Sequence, residues 1–356
     1  MSTPSTPPTR GPDLRRRLIG GRYRLEGVIA GGGSGNVYRA CDRRLRRKVA
    51  VKVIHPEHGR TVEQRRRIRQ EALCGAQISH ANVAQILDFG TDGEIFGESL
   101  FFIVMPLFEG RTLREIVLDG TPRWAKVGVW VHQLLGGLAA LHGAGVLHRD
   151  IKLENCLITQ EGGREVLKLV DLGLAKVTRA GPFSQGPRSI TGRLVGTLAY
   201  MSPEQALGEP VDERSDLYAV GVVLFELLTR RQPFRGSDYQ VLNGHVEQPP
   251  PRPSEFAAAP LPGGFDALTL RALAKDKEQR FASALSFDAA LIRLLDRAGV
   301  DVHRLSHCAG CSDARSALAA WTCFDYTDAL EWADSAARQS RAWSPLKLLM
   351  SLLPEE

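Results

Sequence analysis

The stretch His148-Arg149-Asp150-Ile151-Lys152-Leu153-Glu154-Asn155 decides how the rest of the chain is read. With each residue type taken as about one in twenty, its informative positions (His148, Arg149, Asp150, Lys152, Asn155) would recur by chance roughly once in a few million positions. Neither helix packing nor strand pairing asks for that combination. Its chemistry is coherent: an aspartate to accept a hydroxyl proton, a lysine to neutralise phosphate charge, and an asparagine to hold a metal. Downstream, the apolar run 167–170 ends in Asp171-Leu172-Gly173. A carboxylate at a strand end followed by glycine suits a hard cation such as Mg2+ bridging phosphates. Asp88-Phe89-Gly90 spells a similar tripeptide, but it lies far upstream of Asp150 and reads as the end of a strand and a turn.

Working outward, Ala30-Gly31-Gly32-Gly33-Ser34-Gly35 sits between two strand-like segments. A turn without side chains lets backbone N–H groups approach phosphate oxygens. No Lys-Ser/Thr follows and no helix opens there, so it is not a Walker A loop, and by itself it equally fits an ordinary glycine-rich hairpin. Lys52 is a lone charge in the apolar run Val51-Lys52-Val53. Buried, it needs a partner; the alternative is a surface lysine at a strand edge. Glu71 on the following helix is the natural candidate, with Ile68, Leu73 and Ile78 expected to turn that helix inward.

Strand signals run from Tyr23 to about Met105: Tyr23–Ile29, Val37–Ala40, Lys48–Ile54, and a pair formed by Val83–Leu87 and Leu100–Pro106. One helix over Val62–Ile78 interrupts them. After Gly110 the character turns helical. Trp124–His142 is stopped by Gly143, Asp216–Thr229 is almost uninterruptedly apolar and so expected to be buried on every side, and Phe265–Arg297 is helical again. Short strands fall at Cys156–Ile158 and Leu167–Val170. The fold class is α+β: a small antiparallel β lobe with one helix, joined to a larger, mainly helical lobe.

Composition is compatible with this. The 356 residues are 43% apolar, and 46 basic against 40 acidic residues leave a net charge of +6. Arginine clusters at 15–17, 43–48 and 65–69 lack interleaved aromatics, so nucleic acid is not expected as a partner. Six scattered cysteines form no disulfide framework and favour a reduced, cytoplasmic setting. Residues 1–20 read as a disordered leader. No stretch approaches the roughly 18 to 20 apolar residues that span a bilayer.

Taken together, these motifs make the chain resemble the bacterial eukaryotic-like (Hanks-type) Ser/Thr protein kinases over roughly residues 20 to 297. Tyr200-Met201-Ser202-Pro203-Glu204 is similar to the family's Ala-Pro-Glu element, with Ser202 in place of alanine. Asp216 matches the aspartate that anchors the catalytic loop, and Arg280 matches the arginine paired with Glu204. The resemblance implies a kinase domain over 21–297, with a small lobe 21–105, a hinge 106–110 and a large lobe 111–297. It implies transfer of the γ-phosphoryl of MgATP, with Mn2+ as an alternative metal, to Ser or Thr hydroxyls of protein substrates. Asp150 would be the base, Lys152 would attend the transferring phosphoryl, and Lys52 fixed by Glu71 would hold phosphates. Asn155 and Asp171 would ligate the metal. Ile29, Ala30, Gly31, Gly32, Gly33, Ser34, Gly35, Asn36, Val37, Ala50, Met105, Pro106 and Phe108 would line the ATP site, and Thr197 would serve substrate docking. Ser189 and Thr191 stand where the bacterial branch carries activating phosphates, facing Arg67, Arg149 and Lys176. Departures are Ala30 for the first loop glycine, Leu172 for phenylalanine, Pro106 without an N–H, and Gly75 for a larger apolar residue one turn after Glu71. A pseudokinase scaffold and a small-molecule phosphotransferase are the rival readings.

Residues 298–356 lie outside the resemblance and read as a helical tail. His303, Cys308, Cys311 and Cys323 are zinc-ligand types, but a single CxxC is a weak signal. Trp321, Trp332 and Trp343 recur every eleven residues. The tail is expected to pack on the large lobe or to dock a protein partner.

Overall fold

The computed structural model describes residues 14–32, 35–55, 61–95, 98–171 and 198–302. Six strands form one antiparallel sheet in the order β1-β2-β3-β4-β6-β5: β1 Leu18–Ile19, β2 Tyr23–Gly32, β3 Gly35–Asp42, β4 Arg47–Ile54, β5 Asp88–Ile95 and β6 Glu98–Pro106. The β-branched run of β4 makes it a central strand buried on both faces. Val49, Val51 and Val53 join one apolar cluster, and Ala50 and Ile54 join the other. The first cluster is completed by Leu14 and Ile19, 3% and 0% exposed. The packed domain therefore begins before residue 20, because an apolar sheet face has to be covered and this segment covers it.

Helix α1, Val62–Ala76, starts at a capping box in which Thr61 and Gln64 bond reciprocally, both at 3.1 Å. It buries Ile68 and Ala72, whereas Leu73, expected to face inward, is 47% exposed. The expected strand at 83–87 is absent: Val83 makes an isolated bridge to Leu169, and Leu87 N–H bonds Val104 C=O. The strand paired with β6 is instead β5, and Asp88-Phe89-Gly90 opens it rather than ending one. A Cβ on Gly90 would meet the Phe102 ring at 2.8 Å, so the bare glycine makes room for that ring.

The large lobe begins with β7 Gly110–Thr112, α2 Leu113–Asp119 and α3 Trp124–Gly143. β8 Cys156–Glu161 and β9 Arg164–Leu169 close a small sheet with β7. Helices α4 Pro203–Leu207, α5 Glu213–Thr229, α6 Asp238–Val246, α7 Phe265–Ala272 and α8 Ala284–Arg297 follow. As its composition demands, α5 is buried without a break from Ser215 to Thr229. The span 265–297 is two helices, not one. Asp276 caps a short 3-10 turn at 277–279, and Ser283 recaps α8 through Ser286, so local side-chain hydrogen bonds win over helix continuity. Among the described residues no helix is long and apolar enough to cross a membrane. Residues 303–356, with the zinc-type ligands and the three tryptophans, lie outside them.

Candidate active site

The catalytic-loop motif is hung from helix α5. Asp216, 2% exposed, accepts the Arg149 N–H at 2.8 Å and the His148 N–H at 2.9 Å, and its Oδ2 lies 2.9 Å from His142 Nε2. Burial alone would push this carboxyl up, but the His142 contact, His148 and the backbone donor hold it below the usual carboxylate range. The two backbone bonds keep Arg149 at φ 60°, a left-handed conformation that a non-glycine residue holds only under constraint.

Asp150, 7% exposed, follows immediately. Its Oδ2 accepts Lys152 Nζ at 3.0 Å and Asn155 Nδ2 at 3.1 Å; the same Nδ2 also donates to the Asp150 carbonyl at 2.8 Å. Burial works against the charge on Lys152, yet the carboxylates of Asp150, Asp171 and Glu154 hold its pKa above the ordinary value. Val170 N–H bonds the Asn155 carbonyl at 2.9 Å, which sets Asp171 beside Asn155. Asp171 has φ 62°, and its carboxylate accepts Lys52 Nζ from β4. Lys52 is 3% exposed, so its charge is matched inside the fold, as a buried ammonium requires. The sequence points to Glu71 as its partner. The side chains of Glu71 and Arg67 lie outside the described residues, and the partner seen is Asp171.

Beside this cluster the sheet register lines up Ala50 with Met105, Val49 with Pro106, and Lys52 with both Val37 and Ile103. Ala50 and Met105 are buried, and Asn36 is 4% exposed. Ile29 and Ala30 are exposed on β2, and the strand pair closes at Gly32 opposite Gly35. A Cβ on Gly35 would lie 2.2 Å from the Val53 carbonyl oxygen, so only glycine fits. Phe108 is half-buried, with Lys168 Nζ 5.4 Å from its ring centre. Gly33, Ser34, Lys176, Ser189, Thr191 and Thr197 lie outside the described residues.

Glu204 and Arg280 meet as expected, in a fork of 2.8 and 2.9 Å, with Ser215 Oγ adding a 2.6 Å bond. Burial pushes the Glu204 carboxyl up, but the Arg280 fork outweighs it and holds it low. Arg280 also donates to the carbonyls of Ala274, Arg214 and Lys275, so this 2%-exposed guanidinium is saturated.

Sequence reading missed one group. Arg114 of α2 donates to Glu154 at 2.9 Å, Glu226 at 2.6 Å and the Tyr200 hydroxyl at 2.7 Å, while that hydroxyl bonds Glu226 at 2.5 Å. An acid deep within the apolar run of α5, Glu226, was the signal that could have found it. His142, which touches Asp216, was also missed.

The arrangement can hold phosphate oxygens by Lys52 and Lys152, a hard cation by Asp171 and Asn155, and a hydroxyl proton by Asp150. These residues come from a β lobe and from a helical lobe. Residues 23–285 match the protein kinase domain family, and the chain belongs to it. It is 38% identical over 282 residues to the probable serine/threonine-protein kinase PknB of Corynebacterium glutamicum, covering 78% of this chain and 43% of that one. It is 40% identical over 275 residues to the serine/threonine-protein kinase PksC of Streptomyces coelicolor, covering 76% and 48%. It is 38% identical over 289 residues to the serine/threonine-protein kinase PknL of Mycobacterium tuberculosis, covering 80% and 68%. The chain thus spans less than half the length of the first two. A crystal structure of the Mycobacterium tuberculosis PknI kinase domain superposes with a TM-score of 0.61 at 23% identity, covering 78% of this chain and 98% of that one, and shows the shared two-lobed fold.

Proposed function

We propose that the chain is a protein kinase that transfers the γ-phosphoryl of ATP to Ser or Thr hydroxyls, with Mg2+ as its working metal. One observation carries this reading: Lys52 and Asp171, far apart in sequence, form an ion pair beside Asp150 and Asn155. The donor set fits a hard cation. Asn155 turns its amide nitrogen to Asp150 and keeps an oxygen to offer, and Asp171 is a carboxylate at a strand end. Bound there, the metal supplies charge neutralisation of the phosphates.

The protein's own residues do the rest. Asp150 accepts the proton of the acceptor hydroxyl, and the bonds from Lys152 and Asn155 fix its orientation. Lys152, kept charged by its three acidic neighbours, balances the phosphoryl group. Lys52 holds non-transferring phosphate oxygens, with Glu71 as its further partner. Ala50, Val37 and Met105 supply the apolar surface for adenine, and the carbonyl of Pro106 and backbone of Phe108 supply its polar edge. Glu204 with Arg280 fixes the segment that presents Thr197 to a substrate. Phosphate on Ser189 or Thr191, held by Arg149, Lys176 and Arg67, would raise activity by ordering the loop.

The test is incubation of the purified chain with radiolabelled ATP and Mg2+, with and without a generic protein acceptor, followed by phospho-amino-acid analysis. Phosphoserine or phosphothreonine is expected. ATP binding without any transfer would make the chain a scaffold instead. Replacing Ser189 and Thr191 together by alanine should lower the initial rate, and full activity would remove the regulatory part.

A further inference from the structure

The turn between β3 and β4 sets exposed Arg43, Arg44 and Arg46 around Leu45, and exposed Arg47 opens β4. Leu45 is 55% exposed and contributes nothing to a core. The turn is nevertheless firmly built. Asp42, 0% exposed, accepts the Arg44 N–H at 3.0 Å and the Leu45 N–H at 3.1 Å. Arg22 closes on the same carboxylate with bonds of 2.9 and 2.7 Å, and that fork holds the Asp42 carboxyl at about 2. Arg43 N–H bonds the Arg22 carbonyl at 3.1 Å, which locks this turn to the one between β1 and β2. Arg46 is kept at φ 52°, where an arginine is held against its own preference.

The surrounding charge has one sign. Exposed Arg16 and Arg17 run alongside, their backbones bonded to Leu25. The nearby acids are already engaged: Asp42 and Asp88 by Arg22, and Glu26 by Lys48. Among the described residues, Arg43, Arg44, Arg46 and Arg47 form no ion pair. A field of guanidinium groups seeks phosphate or carboxylate. The choice among polyanions is made by Leu45 and by the 39%-exposed Leu18 on the neighbouring β1. Single-stranded nucleic acid would be met by exposed aromatics, and none is exposed at this end among the described residues; a duplex would leave the exposed leucines without a role. Leucine ringed by arginine matches the boundary between headgroups and acyl chains.

We propose that this arginine–leucine end of the small lobe docks on an anionic lipid bilayer, with Leu45 entering the headgroup boundary and Arg43, Arg44, Arg46 and Arg47 engaging lipid phosphates. The surface stands apart from the cleft residues and does not depend on the kinase reading.

The experiment is flotation of the full chain with phosphatidylcholine vesicles, with or without about one third phosphatidylglycerol, where the anionic charge supplies the attraction. Binding is expected only with the anionic lipid, and raised salt should release it. The quadruple variant R43Q/R44Q/R46Q/R47Q should bind more than about tenfold more weakly. Leu45→Ser should bind several-fold more weakly with an unchanged salt dependence. All five positions are exposed, so an unchanged melting temperature and ATP-dependent activity would show that the variants are folded. Equal binding to neutral vesicles, or a quadruple variant that binds like wild type, would overturn the proposal. So would a Leu45→Ser variant that binds like wild type, since arginine alone would then suffice and an acidic protein would fit better. Release by millimolar inorganic phosphate, or retention by duplex DNA but not by vesicles, would equally overturn it.

Discussion

Helices α5 and α1 are held in opposite ways. In α5 every residue from Ser215 to Thr229 is buried, and the two acids of that span face inward: Asp216 onto the backbone of the catalytic loop, Glu226 onto Arg114 and Tyr200. Helix α1 buries a narrow seam at Ile68 and Ala72 and leaves Val62 74% and Leu73 47% exposed. The large lobe is a frame whose carboxylates fix where chemistry happens. The small-lobe helix is attached along a single seam, and movement there costs far less apolar contact. The difference is one of attachment: α5 is fixed on every side, whereas α1 rests on Ile68 and Ala72.

The largest expected effect tests the frame. Asp150→Asn keeps the shape of the site but removes the proton acceptor, so turnover should fall by roughly 10²- to 10⁴-fold with ATP affinity retained. Steady-state kinetics together with nucleotide titration would check this. A variant with more than a tenth of wild-type turnover would mean that the base lies elsewhere.

The two similar tripeptides set one lobe against the other. Asp171→Ala should abolish metal-dependent transfer, since that carboxylate meets Lys52 and sits beside Asn155. Asp88→Ala removes an acceptor of Arg22, at 3.2 Å, and of the Tyr23 hydroxyl, at 2.5 Å. It should cost stability of about 1 to 3 kcal/mol and spare activity. Thermal melts and phosphate-transfer assays of both variants separate the roles, and the reverse pattern would relocate the metal site.

Third in size is a contrast in stability. Arg280→Met leaves Glu204 buried without its fork and should destabilise the chain by about 3 to 5 kcal/mol. Leu73→Ser on α1 should change stability by no more than about 0.5 kcal/mol, since that side chain is largely in solvent. Denaturant unfolding of both measures the contrast directly, and equal losses would break the distinction between frame and seam.

Much of this was legible in the sequence, and the misses share a cause. His148 through Asn155 stood out as a combination that packing does not ask for, Asp171 as a carboxylate at a strand end, and Glu204, Asp216 and Arg280 through the resemblance to the protein kinases. Helix α5 was found because unbroken hydrophobicity admits few alternatives. Leu73 was misplaced because apolar spacing on a short arginine-rich helix does not say which apolar residues win the seam. The 83–87 strand and the single helix over 265–297 failed at local features, an isolated bridge and the Asp276 and Ser283 caps, that hydrophobic periodicity does not register. Arg114 joins three elements distant in sequence, and such partners appear only once the chain is folded.

The smallest expected effect asks whether the buried frame carries an electrostatic cost of its own. Lys275 donates to the Gly244 and His245 carbonyls at 2.6 and 2.8 Å, capping the end of α6, and stands 4.2 Å from the Phe234 ring centre. Burial, and then the nearby Arg280 guanidinium, push its pKa from an ordinary 10.5 down to about 7. Between these values the unfolded chain binds more protons than the folded one, so this site makes stability rise with pH from about 7 to about 10.5. Below about 7 both states are protonated and the slope from this site vanishes. Lys275→Met should flatten that rise, and the lost carbonyl bonds should lower stability by about 1 kcal/mol, or about 2 °C in a chain of this size. Melting temperatures of wild type and variant, measured across that alkaline window, give the answer. A wild-type curve that falls across it as steeply as the variant's would show that Lys275 stays charged in the fold, and that carbonyls and the Phe234 ring fully offset its burial.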